Sequence, residues 1–228
     1  MISNEAWPTA IAYGGAFDPP HEGHRLVLRK TAESFPQAAL YLLPAKTPAG
    51  AYGAHKQPSA SFEQRMEMCY LAFASELQDL ALTIDPLEAH LPEPNYTVRT
   101  MEALQRRDPE QHWAILMGRD QLLRFAGWYQ PQTLAALASL VIIDRDAAED
   151  LSPSLEELGR KLGLELEATG GSSWRWKGWS TGVFWLPGCV SPAASRLIRN
   201  NWGEAAQKGW LSPEVAQYIK RNTLYTRT

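Results

Sequence analysis

Continuous apolar runs alternate with amphipathic stretches along most of the chain. Residues 9–13 are almost wholly apolar and stop at Gly14-Gly15. A run with no polar alternation fits a strand covered on both faces. Residues 24–34 place Leu26, Val27 and Leu28 on a helical pattern that ends before Pro36. Residues 38–43 form a second apolar run, closed by Pro44. Strand, helix and strand within about 35 residues predict a βαβ unit with parallel strands.

The alternation continues downstream. Residues 44–60 form a loop rich in glycine, alanine and proline. Ser61 with Gln64 spells a capping box that opens a helix bearing Phe62, Met66, Cys69, Tyr70 and Phe73 on one side. Strands are predicted at 80–84, 112–117 and 140–143. A helix is predicted from Tyr96-Thr97 to about residue 107, and a short one at 121–125. Beyond Asp144 the pattern weakens to a helix at 153–162 and strands at 164–168 and 182–186. Ser191-Pro192 and Ser212-Pro213 each read as a helix start, with serine at the N-cap and proline at the first helical position. The pattern predicts an α/β fold, a doubly wound parallel sheet in a single domain: a core over about residues 1–190 and C-terminal helices over about 191–228.

Composition narrows the function classes. The 228 residues are 45% apolar and 21% charged, with a formal net charge of −3. No broad basic field is present to hold a nucleic acid. Cys69 and Cys189 stand far apart with no CxxC spacing, which argues against a zinc site and for a reducing, cytoplasmic setting. The first ten residues lack the apolar core of a signal peptide, and no run reaches the roughly 18 apolar residues of a membrane span.

The candidate chemistry begins at Gly14-Gly15-Ala16-Phe17-Asp18-Pro19-Pro20-His21-Glu22-Gly23-His24. A buried strand running through two glycines into a helix start presents backbone N–H groups and a positive helix end to a phosphate. His21 and His24, three apart at that junction, can both face the anion and donate to it. Two other readings stand beside this one: His-x-x-His as half of a metal site, and Asp18 as a turn cap.

The whole string resembles the phosphate signature of the His-x-Gly-His nucleotidyltransferase superfamily. Its Phe-Asp-Pro-Pro-His spelling is most similar to the nicotinate-nucleotide adenylyltransferases. The resemblance implies a Rossmann-like fold and adenylyl transfer from ATP to nicotinate or nicotinamide mononucleotide in NAD synthesis, with Mg²⁺ bound through the ATP phosphates. It makes His21 and His24 the catalytic pair, with Gly14, Gly15, Ala16 and Phe17 around the ATP phosphates. Met117-Gly118-Arg119-Asp120 resembles the family's M-G-x-D, which adds Gly118 and Asp120 to the ATP site. Asn95-Tyr96-Thr97 resembles Ser-Tyr-Thr, and Trp128 falls where the family stacks an aromatic ring on the pyridine. Lys46, Lys56 and Arg145 are the implied acceptor-phosphate contacts. The 218–225 segment resembles the family's Y-I-x-x-x-x-L-Y.

One segment departs from the family. Where it carries I-S-S-T-x-I-R, this chain reads Val190-Ser191-Pro192-Ala193-Ala194-Ser195-Arg196-Leu197-Ile198-Arg199. Placing Ser191 on the first serine makes Arg196 the phosphate arginine; placing Ile198-Arg199 on Ile-Arg selects Arg199 instead. Either register loses a hydroxyl. Phosphopantetheine, a cytidylyl acceptor, or a retired enzyme that only senses ATP therefore stay open as alternatives. Trp174, Trp176, Trp179 and Trp185 form an aromatic cluster. It reads either as a half-buried hairpin turning at Lys177-Gly178, or as a single-strand nucleic-acid platform or homo-oligomer contact.

Overall fold

The computed structural model describes residues 7–48, 57–144 and 150–226. Eight strands form one sheet, in the order β3-β2-β1-β4-β5-β8-β7-β6. β1 is Ala10–Gly15, β2 Ala39–Pro44, β3 Leu82–Ile84, β4 Trp113–Gly118, β5 Ser139–Ile143, β6 Leu166–Gly170, β7 Ser173–Trp176 and β8 Gly182–Leu186. The first five strands and β8 run parallel, whereas β6 and β7 are antiparallel additions at one edge. This is the doubly wound order, in which the connections reverse direction between β1 and β4.

The apolar runs are continuous because both faces of the sheet are covered. Successive strand residues point to opposite sides. Ile11, Leu40, Leu42, Leu116 and Val141 enter one core with α1 (Glu22–Ser34), α2 (Phe62–Ala72) and α10 (Pro213–Arg221). Ala10, Ala12, Leu43, Ile115, Met117 and Ile142 enter the other, with α4 (Thr97–Arg107), α6 (Pro131–Leu137) and α7 (Ser152–Leu162). The Ser61–Gln64 capping box forms as the sequence predicts, as does the serine cap at Ser212.

Three short helices carry too little periodicity to be read in advance: α3 (Ala74–Asp79), α6 and α9 (Trp202–Gln207). The segment expected at 121–125 is a one-turn α5 (Arg119–Leu122) followed by a 3₁₀ turn over Phe125–Gly127. The tryptophan cluster is the hairpin. β7 and β8 pair antiparallel around Lys177-Gly178, Trp176 is fully buried, and Trp174, Trp179 and Trp185 pack on the same core.

The helix start expected at Ser191-Pro192 is absent. α8 runs Ser195–Asn200, and its N-cap Ala194 is extended at φ −146°, ψ 134°. Ser191 Oγ instead accepts from Ala193 N at 3.2 Å, a local serine turn that competes with helix. The segment before α8 thereby lies against the first turn of α1.

Candidate functional site

The β1–β4 switch point opens a cleft of about 530 Å³. Its floor is the carboxyl ends of the two strands: Tyr13, Gly14, Gly15 and Ala16 from one, Met117 and Gly118 from the other. Asp120 and Gln121 line it beside Gly118, and Tyr96, Thr97, Arg124, Trp128 and Tyr129 form the far wall. One cleft therefore joins the glycine turn to an aromatic wall.

Gly14 is not required by packing. A Cβ built on it meets nothing within 4 Å, so the open space beside it is available to a ligand. Gly23 is different: a Cβ there would lie 3.0 Å from the His21 ring and 3.1 Å from Ser191 Oγ. Gly23 therefore lets Ser191 approach the histidine pair from across the fold.

His21 is the N-cap of α1 and is 9% exposed. Its ring centroid lies 3.7 Å from that of His24, with an interplanar angle of 31°. His24 is further fixed by the edge of Phe17, at 5.0 Å. Phe17 is buried and held at φ 47°, a strained value for a bulky residue. Neither imidazole lines the cleft itself. Both stand beyond its Gly14–Ala16 end, where the cleft-lining Tyr13 ring comes 6.1 Å from His24.

The phosphate loop is braced from several sides. Arg65 Nη1 donates to Ala16 O at 2.7 Å, and Ser195 Oγ donates to Pro19 O at 3.0 Å. Asp18 is not a turn cap. Its carboxylate accepts from Ser59 N at 2.7 Å, from Ala60 N at 3.1 Å and from the Tyr225 hydroxyl at 2.7 Å.

The remaining expected site residues divide. Arg196, on the first turn of α8, is exposed. Arg199 turns to the protein, with Nη1 donating to the Asp18 carbonyl at 2.5 Å. Lys46 is outside the cleft lining and pairs with Glu93 at 2.9 Å. Lys56 and Arg145 lie outside the described residues. Thr97 lines the cleft as the first residue of α4, whose N-cap is Tyr96, so it is not the helix cap.

Three features escaped sequence reasoning. Glu88 lines the cleft, buried, with its carboxylate accepting from Thr100 Oγ1 at 2.8 Å; burial raises its pKa to about 7. Arg124 is the one basic side chain in the cleft lining among the described residues. Arg119 pairs with buried Asp144 at 2.9 Å, tying the ends of β4 and β5. No local pattern marks any of the three.

Such a sheet, with a glycine turn and a His-x-Gly-His helix start at its switch point, defines a Rossmann-like nucleotidyltransferase. The cytidylyltransferase-like family model matches residues 12–199. A protein of Sodalis glossinidius named probable nicotinate-nucleotide adenylyltransferase is 39% identical over 135 residues, which is 58% of this chain and 59% of that protein's own length. One of the same name from Chromohalobacter salexigens is 32% identical over 71% of this chain and 73% of its own. The chain belongs to the cytidylyltransferase-like family, among its nicotinate-nucleotide adenylyltransferases. The same fold is seen in a Plasmodium falciparum nicotinic acid mononucleotide adenylyltransferase complexed with NaAD, at a TM-score of 0.67, 16% identity, and coverage of 96% of this chain and 98% of that one. Among the described residues no helix is long and apolar enough to cross a membrane.

Proposed function

We propose that this protein transfers AMP from ATP to nicotinate mononucleotide, releasing pyrophosphate, as a step of NAD biosynthesis. The observation that carries this reading is the single cleft running from Gly14-Gly15 to Trp128. ATP lies with its phosphates over Gly14, Gly15, Ala16 and Phe17, the helix start at His21 and His24, and the Ser191–Arg196 segment. Gly118 and Asp120 border its ribose. The acceptor ring lies against Trp128, with Tyr96 and Thr97 beside it. An aromatic face suits an electron-poor ring.

The acceptor's phosphate oxygen attacks the α-phosphorus in line. A new P–O bond forms, the α–β bridging bond breaks, and pyrophosphate departs with the electron pair. The attacking oxygen is already anionic, so no general base is needed, and catalysis reduces to positioning and charge stabilisation. Magnesium enters as part of the MgATP substrate. The two cysteines are buried thiols, which fits a cytoplasmic setting.

A second reading, an ATP-binding sensor, is favoured by Ala193, which is buried and carries no hydroxyl where the family has threonine. Pyrophosphate release measured with ATP, Mg²⁺ and each of nicotinate mononucleotide, nicotinamide mononucleotide and phosphopantetheine separates the readings. Release with nicotinate mononucleotide is expected. ATP binding with no release under any acceptor would establish the sensor.

A further inference from the structure

Asp18 is the point where four distant segments meet. Its carboxylate is 3% exposed and takes donors from Ser59 N, Ala60 N and the Tyr225 hydroxyl. Arg199 adds a bond to its backbone carbonyl and lies 3.6 Å from the carboxylate. The phosphate loop, the loop after β2, α8 and the turn after α10 are thus joined at one side chain, three residues before His21.

Tyr225 reaches Asp18 across 207 residues of sequence. The turn that delivers it is strained. Thr223 stands at φ 54° and Tyr225 at φ 57°, while Phe17, on the other side of the bond, stands at φ 47°. Bulky and β-branched residues hold such angles only where their surroundings over-determine them. Leu224 N–H bonds Ile219 O at 3.0 Å and fixes the turn, and the hydroxyl fixes its far end. Burial and the neighbouring Asp18 push the phenol pKa upward, so the hydroxyl keeps its proton and stays a donor.

We propose that Tyr225 is a positioning residue for adenylyl transfer, its hydroxyl setting the phosphate loop in register with the loop after β2 through Asp18. This rests on the functional reading above. Tyr225 is not among the cleft-lining residues, and its hydroxyl is bonded to Asp18. Its loss should therefore slow the chemical step more than it weakens binding, because misplaced imidazoles still leave the cleft open.

The test is Tyr225→Phe, which keeps the ring and removes the donor. Tyr218→Phe, which removes a hydroxyl from α10 that does not reach Asp18, serves as the control. For Tyr225→Phe, kcat should fall about tenfold or more, with KM for ATP and acceptor changed less than about threefold, as loss of a hydrogen bond to a charged group implies. Amide hydrogen exchange at Ser59 and Ala60 should quicken by about tenfold or more. Tyr218→Phe should match the wild type in both. Unchanged exchange and unchanged kcat in Tyr225→Phe would overturn the proposal, as would a fall in thermal stability with kcat per folded molecule intact. The exchange measurement needs no turnover. A wild type that released no pyrophosphate would sink the functional reading and leave exchange at Ser59 and Ala60 to decide this one.

Discussion

The backbone N–H of His21 donates to Nδ1 of His24 at 3.2 Å. That bond fixes which ring nitrogen of His24 carries the proton in its neutral form: Nδ1 is the acceptor, so Nε2 is the N–H donor. The donor is set in place before any phosphate arrives. Preorganised donors of this kind are worth about 10²–10³ in kcat. His24→Ala should lower turnover by roughly that factor while shifting the melting temperature by only a few degrees, as steady-state kinetics beside thermal unfolding will show. A fully active His24→Ala would remove the histidine from the mechanism.

Gly14 and Gly23 should respond oppositely to the same methyl group. Gly14→Ala meets no protein atom within 4 Å, so stability should stay near wild type while KM for ATP rises. Gly23→Ala drives a methyl to 3.0 Å from the His21 ring, and should cost about 1–3 kcal/mol of stability as overpacking does. Urea denaturation of both variants with ATP titrations checks the pair. Equal stability losses would show that Gly14 is a packing residue after all.

The two arginines of α8 separate in the same way. Arg196 is exposed, whereas Arg199 holds the Asp18 carbonyl. Arg196→Ala should weaken ATP binding by about 1.5–3 kcal/mol, the range for a hydrogen bond to a charged group, with the melting temperature unchanged. Arg199→Ala should lower the melting temperature. Calorimetric ATP titration and thermal unfolding decide the matter, and a reversed pattern would favour the other register of this segment.

Glu88 makes stability depend on pH. Burial lifts its folded-state pKa from 4.5 to about 7. A raised acid pKa means the folded state prefers the proton, so the contribution is fully present below 4.5 and fades as pH rises through about 7. The change is on the order of 3 kcal/mol across that interval. Glu88→Gln should flatten the slope of unfolding free energy between pH 4.5 and about 7, the window set by those two values. An unchanged slope would show that Glu88 does not titrate there.

How far the sequence carries depends on how local each feature is. The glycine turn and the helix start after it lie within eleven consecutive residues, Gly14 to His24, and were readable because strand, turn and helix signals adjoin there. The sheet was readable from apolar runs that both faces require. Ser191-Pro192 misled because it has the same spelling as Ser212-Pro213, which does cap a helix. What differs is tertiary: Ser191 packs on Gly23, and Ala194 ahead of α8 is extended. α6 had a signal, Pro131 at its first turn after the left-handed Gln130, but its seven residues are too few for a period to show. Asp18 with Tyr225, Arg119 with Asp144, and the burial of Glu88 depend on residues brought together from afar, and no local pattern encodes them.

The central claim is that the imidazole pair and the glycine turn hold the triphosphate of ATP. A crystal structure with a non-hydrolysable ATP analogue tests it most directly. Phosphate oxygens are expected about 2.7–3.1 Å from His24 Nε2, with the triphosphate over Gly14-Gly15 and the adenosine running past Gly118. A triphosphate bound away from Gly14, with neither imidazole in contact, would contradict it.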